Sequence, residues 1–166
     1  MKHQTPSKAA TFTGRRAHFT HIQNYTATID ELFPLLCPVR ESDYLTRWAC
    51  DIIYLKSGLI EIGGVFTTSF PHDGPDKDVW IVSRYEPDQF IQFVRVNGWR
   101  SIIYNIEVQA AGEGKITLFW EQIITGLNDK GNVVIKTLRE EDFKSMLDDM
   151  EQRLQYYLDA GEIMVD

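Results

Sequence analysis

No run in this chain approaches about 18 consecutive apolar residues, so no segment is built as a transmembrane helix. The opening Met1-Lys2-His3-Gln4-Thr5-Pro6-Ser7-Lys8 has no apolar stretch of the kind a secretory leader needs, and a cytoplasmic protein is expected. Cysteine is scarce. Cys37 and Cys50 stand apart with no CxxC or CxxH nearby, a spacing that fits neither a zinc site nor a disulfide framework. Both are expected to be reduced and packed, although Cys37 precedes Pro38-Val39-Arg40 and so has a cation close by. Walker loops, GxGxxG, HExxH and GxSxG are all missing, and neither a cofactor nor a metal is expected.

Basic residues are also in the minority, with 17 Lys and Arg against 24 Asp and Glu and a net charge of −7. From 140 to 166 nine acids face only Lys144 and Arg153, so this segment carries the whole excess. Such a surface repels phosphate backbones, which argues against a nucleic-acid partner. A solvated helix face explains the acids, and an acidic docking surface is the alternative.

What remains is an ordinary globular composition, 43% hydrophobic and 25% charged over 166 residues. We expect one domain at 14–166 behind a disordered or loosely attached tail at 1–13. Residues 14–22 alternate as an opening strand, with Ala17, Phe19 and His21 on one side and His18, Thr20 and Ile22 on the other. Thr28 with Glu31 three residues later forms a capping box, and Pro34 limits the helix it starts. A second short helix is expected from Pro38 to Trp48.

The period then becomes two. Strands are expected at 51–56, 61–70, 79–85, 89–96, 99–110 and 115–125, with Gly63-Gly64 marking a bulge or close approach. Asn97-Gly98 is the clearest hairpin signal. Ile102, Tyr104, Ile106 and Val108, and likewise Leu118, Trp120, Gln122 and Ile124, form the more apolar and therefore inward sets. Two strands stay open: Trp80, Val82 and Arg84 against Ile81, Ser83 and Tyr85, and Ile91, Phe93 and Arg95 against Gln92, Val94 and Val96. Phe143, Met146, Leu147, Met150, Leu154, Tyr157 and Leu158 recur at helical spacing, and Gly161 fits the residue after the helix end. Asn132, or Thr137 with Glu140, would start that helix.

One long helix and two short ones must cover one face of about seven antiparallel strands. A twisted sheet of that size curls around the long helix and can leave a space for a ligand between them.

Several phrases carry a resemblance. They are Phe33-Pro34-Leu35-Leu36-Cys37-Pro38-Val39-Arg40-Glu41, Trp48, Ser57-Gly58, Gly64-Val65-Phe66-Thr67-Thr68, Trp80-Ile81-Val82-Ser83-Arg84-Tyr85 and Gly131-Asn132. In that order they resemble the SRPBCC superfamily, the START, Bet v 1 and polyketide cyclase group, over about residues 15–161. The resemblance implies an α+β helix-grip fold: a curved sheet of about seven strands on a long C-terminal helix, with two short helices between strands one and two. It also implies an internal apolar cavity for a lipid-, polyketide- or aromatic-like molecule. Cyclase or dehydratase chemistry in that cavity is one alternative, and a protein-interaction module without ligand is another. The chain departs from the group at Asp43-Tyr44-Leu45-Thr46-Arg47-Trp48, next to the expected entrance.

The candidate ligand contacts are Trp80, Arg84, Phe93, Arg95, Tyr104, Trp120, Gln122, Met146, Met150 and Tyr157. The aromatics and methionines suit an adaptable apolar wall, although core packing explains them equally well. The arginines would hold an anionic ligand group, and if inward they need a partner such as Glu107 or Glu121. Weak acid/base candidates are His72 beside Asp73, Glu41 and Glu107. His18 and His21 fall on opposite faces and cannot share a metal. Phe119 and Ile123, on the outer side of the last strand, would mark an interface or seal a homodimer.

Overall fold

A computed structural model describes residues 11–71 and 76–165. The expected 1–13 tail falls largely outside these residues, as does His72.

Seven antiparallel strands form one sheet in the order β1-β7-β6-β5-β4-β3-β2. They are β1 (Arg16–Thr26), β2 (Asp51–Tyr54), β3 (Val65–Thr68), β4 (Asp78–Glu86), β5 (Phe90–Val96), β6 (Arg100–Ala110) and β7 (Lys115–Gly126). From β4 onward each strand pairs with its chain neighbour, and β1 closes the far edge against β7. Asn97 makes the β5–β6 turn through its side chain, where Oδ1 accepts from the backbone N–H of Trp99 (3.1 Å) and Arg100 (3.0 Å).

The helices are α1 (Ile29–Leu32), α2 (Asp129–Ile135) and α3 (Glu140–Ala160). Thr28 and Glu31 complete the capping box on α1. Pro34 does not end the turn but sits in a 3₁₀ continuation, Phe33–Leu36, because its missing N–H is unneeded at a first turn. The helix expected over 38–48 is reduced to one 3₁₀ turn, Glu41–Asp43, between backbone turns. The strand expected at 61–70 shrinks to Val65–Thr68, since Gly63 takes a positive φ of 77° and turns the chain. In contrast, β1 runs four residues past its expected end.

Neither expected start of the long helix is used. Asn128 caps the separate α2 by accepting from Gly131 N–H (3.0 Å), and Arg139 precedes α3 in extended conformation. Asn132 lies within α2 and reaches back to the chain start, accepting from Arg15 N–H and donating to Thr13 carbonyl. Gly161, at φ 70°, ends α3 as expected.

Along one side α3 is fastened to β1. Phe19 stacks on Phe143 at 5.9 Å, and the His21 ring nitrogen lies 2.9 Å from Asp148. Gln23 donates to the Leu147 carbonyl (2.6 Å), and Gln155 exchanges two hydrogen bonds with the Thr26 backbone. Gln23 is fully buried, and its Oε1 also accepts from Trp120 Nε1 (2.6 Å) and Tyr25 hydroxyl (3.1 Å). A helix held along one sheet edge leaves its other side over the middle strands to be filled by whatever side chains reach it.

Both open strand faces resolve. Ile91, Phe93 and Arg95 point inward, as do Trp80 and Val82. Strict alternation would send Arg84 inward as well, but the β4–β5 register shifts between Val82 and Arg84 and turns it outward. Phe119 and Ile123 are half-buried on the outer face.

Candidate functional site

Between α3 and the middle strands lies a cavity of about 260 Å³. The sheet supplies Phe66 from β3, Trp80 from β4, Phe93 and Arg95 from β5, Tyr104 and Ile106 from β6, and Trp120 from β7. The helix supplies Met146, Leu147, Asp149 and Met150, and the segment between β1 and β2 adds Pro38, Glu41, Leu45 and Trp48. Leu45, Trp48, Phe70 and Asp149 also line an adjoining groove, so the cavity opens between the 45–48 segment and α3. Met146, half-exposed, stands at that rim.

The three wall tryptophans have their N–H groups committed elsewhere. Trp48 donates to Pro38 carbonyl (2.7 Å), Trp80 to Thr68 hydroxyl (2.8 Å) and Trp120 to Gln23 (2.6 Å). With its polar atom satisfied, each indole can offer carbon surface to the cavity. The rings form a connected cluster: Trp80 stacks with Tyr104 at 5.3 Å and Phe66 at 5.4 Å, and meets Phe93 and Trp48 edge-on.

Arg95 is the wall's cation. Its Nε donates to Asp78 Oδ2 (2.8 Å), its Nη2 bonds the same oxygen, and its guanidinium lies 4.7 Å from the Trp80 ring centroid. Asp78, fully buried at the start of β4, also lies 3.5 Å from Arg100. The expected partners for an inward arginine, Glu107 and Glu121, are on the outer face instead. There Glu121 accepts from Asn105 and pairs with His18, and both contacts hold its carboxyl below the usual range. Tyr104 hydroxyl accepts from Gln122 (2.8 Å) and Arg95 (3.4 Å), and its own proton has no acceptor among the described residues.

Glu41 is the wall's acid. It is buried, and no described group donates a hydrogen bond to its carboxyl. Burial alone pushes its pKa up to about 8, so it is predominantly the neutral acid at pH 7.

Of the residues singled out in the sequence, Trp80, Phe93, Arg95, Tyr104, Trp120, Met146, Met150 and Glu41 line the cavity. Gln122 stands behind Tyr104, and Tyr157 packs on Tyr44 at 6.4 Å outside the lining. Arg84 is on the opposite face, paired with Glu86 and lying 4.3 Å over Phe90. Glu107 shares that face and accepts from Gln109. Sequence reading missed Asp78, hidden at the end of a loop rich in turn formers, and Trp48, placed on a helix that does not form. Among the described residues no three His, Cys, Asp or Glu side chains converge as metal ligands would. No described helix is long and apolar enough to cross a membrane.

Neither a protein-family model nor a curated protein matches this sequence. Solved structures do match in three dimensions. A point mutant of norcoclaurine synthase from Thalictrum flavum, in complex with a transition-state analogue, superposes with a TM-score of 0.65 at 12% identity, covering 89% of this chain and 99% of that one. Ara h 8.0201 superposes at 0.60 with 13% identity, over 87% and 98% of the two chains. The chain has the Bet v 1-like helix-grip fold. DynU16, a protein of the dynemicin biosynthetic locus, shares this helix-grip fold at a TM-score of 0.60 and 18% identity. The match covers 87% of this chain, which spans about half the length of DynU16, 48%. At these identities the likeness concerns the helix-grip architecture, and function must be argued from the cavity itself.

Proposed function

We propose that this protein binds a compact, flat, hydrophobic molecule in the space between α3 and the sheet. The observation carrying this reading is the wall: seven aromatic rings, counting Phe70 at the mouth, surround about 260 Å³. Pockets for drug-sized ligands span about 300–1,000 Å³, so a molecule of two fused rings suits this one better than an extended lipid chain. Such a guest would gain contact with ring faces whose polar atoms are already satisfied. Tyr104 offers the guest a hydroxyl proton, and the Asp78–Arg95 pair backs that corner of the wall. One relative by fold, norcoclaurine synthase from Thalictrum flavum, has been solved with dopamine and hydroxybenzaldehyde, each built on a single aromatic ring.

Thermal-shift screening of the purified protein against bicyclic aromatics, flavonoids and fatty acids tests this. Small aromatics should raise the melting temperature and long-chain lipids should not. Equal indifference to all three classes would remove the reading.

A second reading is a cyclase- or dehydratase-type enzyme using the same cavity. Glu41 favours it, because a carboxyl with a pKa near neutrality can both give and take a proton. On that reading Glu41→Gln abolishes turnover of the bound molecule while leaving its affinity in place.

A further inference from the structure

The Glu41 carboxyl lies in the wall of an apolar cavity, with neither a donor nor an acceptor among the described residues. A neutral carboxylic acid presents one O–H donor and one carbonyl acceptor side by side, and a guest that displaces solvent from both without pairing them incurs a cost. Elsewhere on this wall the polar groups are tied down: the indoles to Pro38, Thr68 and Gln23, and Arg95 to Asp78. Among the described residues the Glu41 carboxyl and the Tyr104 hydroxyl proton are the exceptions.

The groups nearest Glu41 cannot relieve it. Tyr44, on the same segment, spends its hydroxyl proton on the Leu35 carbonyl (3.1 Å). Cys37 accepts from Ile60 N–H, and Cys50 is directed at the Pro38 carbonyl. Across the cavity Arg95 is engaged with Asp78, and Asp149 on α3 pairs with Arg153. A guest that fills the cavity and displaces solvent must therefore supply the partner itself.

Resting on the cavity-binding reading above, we infer that the ligand is a planar N-heteroaromatic whose edge places a ring nitrogen beside an amino group, and that Glu41 reads this edge. The ring nitrogen accepts the Glu41 O–H while the amino group donates to the Glu41 carbonyl oxygen. If the proton passes to the ring nitrogen, both hydrogen bonds persist as charge-assisted ones and no atom is left over. The ring lies against the indole and phenyl faces, which tolerate a neutral heterocycle and a protonated one alike. A hydrocarbon guest of the same shape would fill the space but leave the carboxyl unpaired.

The test uses two isosteric probes, 2-aminoquinoline and 2-methylquinoline, titrated into the full-length protein at pH 7 by calorimetry. The wild type should bind 2-aminoquinoline at least about tenfold more tightly, the scale expected when a buried polar pair is satisfied instead of orphaned. Glu41→Met should abolish that preference, because 2-aminoquinoline loses both hydrogen bonds and 2-methylquinoline only the one its ring nitrogen accepts, so the latter is weakened by the smaller factor. Glu41→Gln, whose amide keeps one donor and one acceptor, should retain part of the preference, a rescue that a purely structural role for Glu41 would not produce. Equal wild-type affinity for the two probes overturns the inference, even if no variant folds. So does a preference that survives in Glu41→Met. Binding of 2-methylquinoline without discrimination defeats the Glu41 inference alone, whereas binding of neither probe defeats the cavity reading with it.

Discussion

The Arg95 guanidinium lies 4.7 Å from the centroid of the Trp80 ring while two of its nitrogens hold one oxygen of Asp78. That arrangement places a full charge in the cavity wall and covers one ring with it, so the wall's shape depends on a carboxylate that the cavity never touches. Asp78 also faces Arg100 at 3.5 Å. Removing it leaves two buried guanidiniums without this partner, and Asp78→Ala should cost about 3–5 kcal/mol, read by urea denaturation. A loss below about 1 kcal/mol would mean that the pair does not organise this region.

Gln23 joins α3 to β1 and Trp120 through three hydrogen bonds of a side chain with no solvent exposure. Gln23→Leu keeps the volume but strands the Trp120 N–H and the Tyr25 hydroxyl proton, each worth about 1–3 kcal/mol when orphaned. The expected loss is about 2–4 kcal/mol by chemical denaturation, with Trp120 fluorescence altered in the folded state. A neutral substitution would show that packing alone seats the helix.

Glu41 has a pH signature of its own. Its folded pKa of about 8 lies above the ordinary glutamate value of 4.5, so between these two the folded state holds a proton that the unfolded chain has lost. The stability tied to this proton is fully present below about pH 4.5 and is lost as the pH rises towards 8, at up to about 1.4 kcal/mol per unit. Glu41→Gln cannot ionise. It should therefore be more stable than the wild type at pH 7, with a gap that widens from pH 5 to pH 8. The exposed carboxyls Glu31, Glu61 and Asp148 are shifted the other way and are common to both proteins, so they cancel in the difference. Parallel stability curves for the two proteins would mean that Glu41 is hydrated.

These three positions were unequally legible in the sequence. Glu41 stood inside a family-like phrase, but nothing local distinguishes an acid on a solvated turn from one enclosed by aromatics. Gln23 fell just beyond the expected end of β1, where Asn24 and Thr26 hide the alternation. Asp78 closed a run of Pro, Gly and Asp that reads as loop. By contrast, the inward faces of β6 and β7 followed from period-two patterning because one side is plainly more polar. On β4 and β5 both faces carry large apolar residues, Val79, Ile81, Val94 and Val96 outside and Trp80, Val82, Ile91 and Phe93 inside, so the pattern had no preferred side. The bulge that turns Arg84 outward leaves no composition signal at all. Architecture was legible because it rests on many alternating positions; the lining was not, because it depends on single residues and one register shift.

Arg84 supplies a control. It is exposed, pairs with Glu86 and lies over Phe90 on the outer face. Arg84→Ala should change stability by no more than about 1 kcal/mol, as for other exposed ion pairs, and leave probe affinity unchanged in calorimetry. A marked loss of affinity would place this side chain at the ligand after all.

The central claim is that the space beneath α3 receives a guest. Trp48, Trp80 and Trp120 stand in its wall, so tryptophan fluorescence reports occupancy directly. Titration with 2-methylquinoline should give saturable quenching at one site per chain. Ile106→Phe, which grows into the same space, should weaken binding at least about tenfold while costing no more than the few kcal/mol of an overpacked core. Quenching that rises without saturation, or equal affinity in the Ile106→Phe variant, would contradict the account.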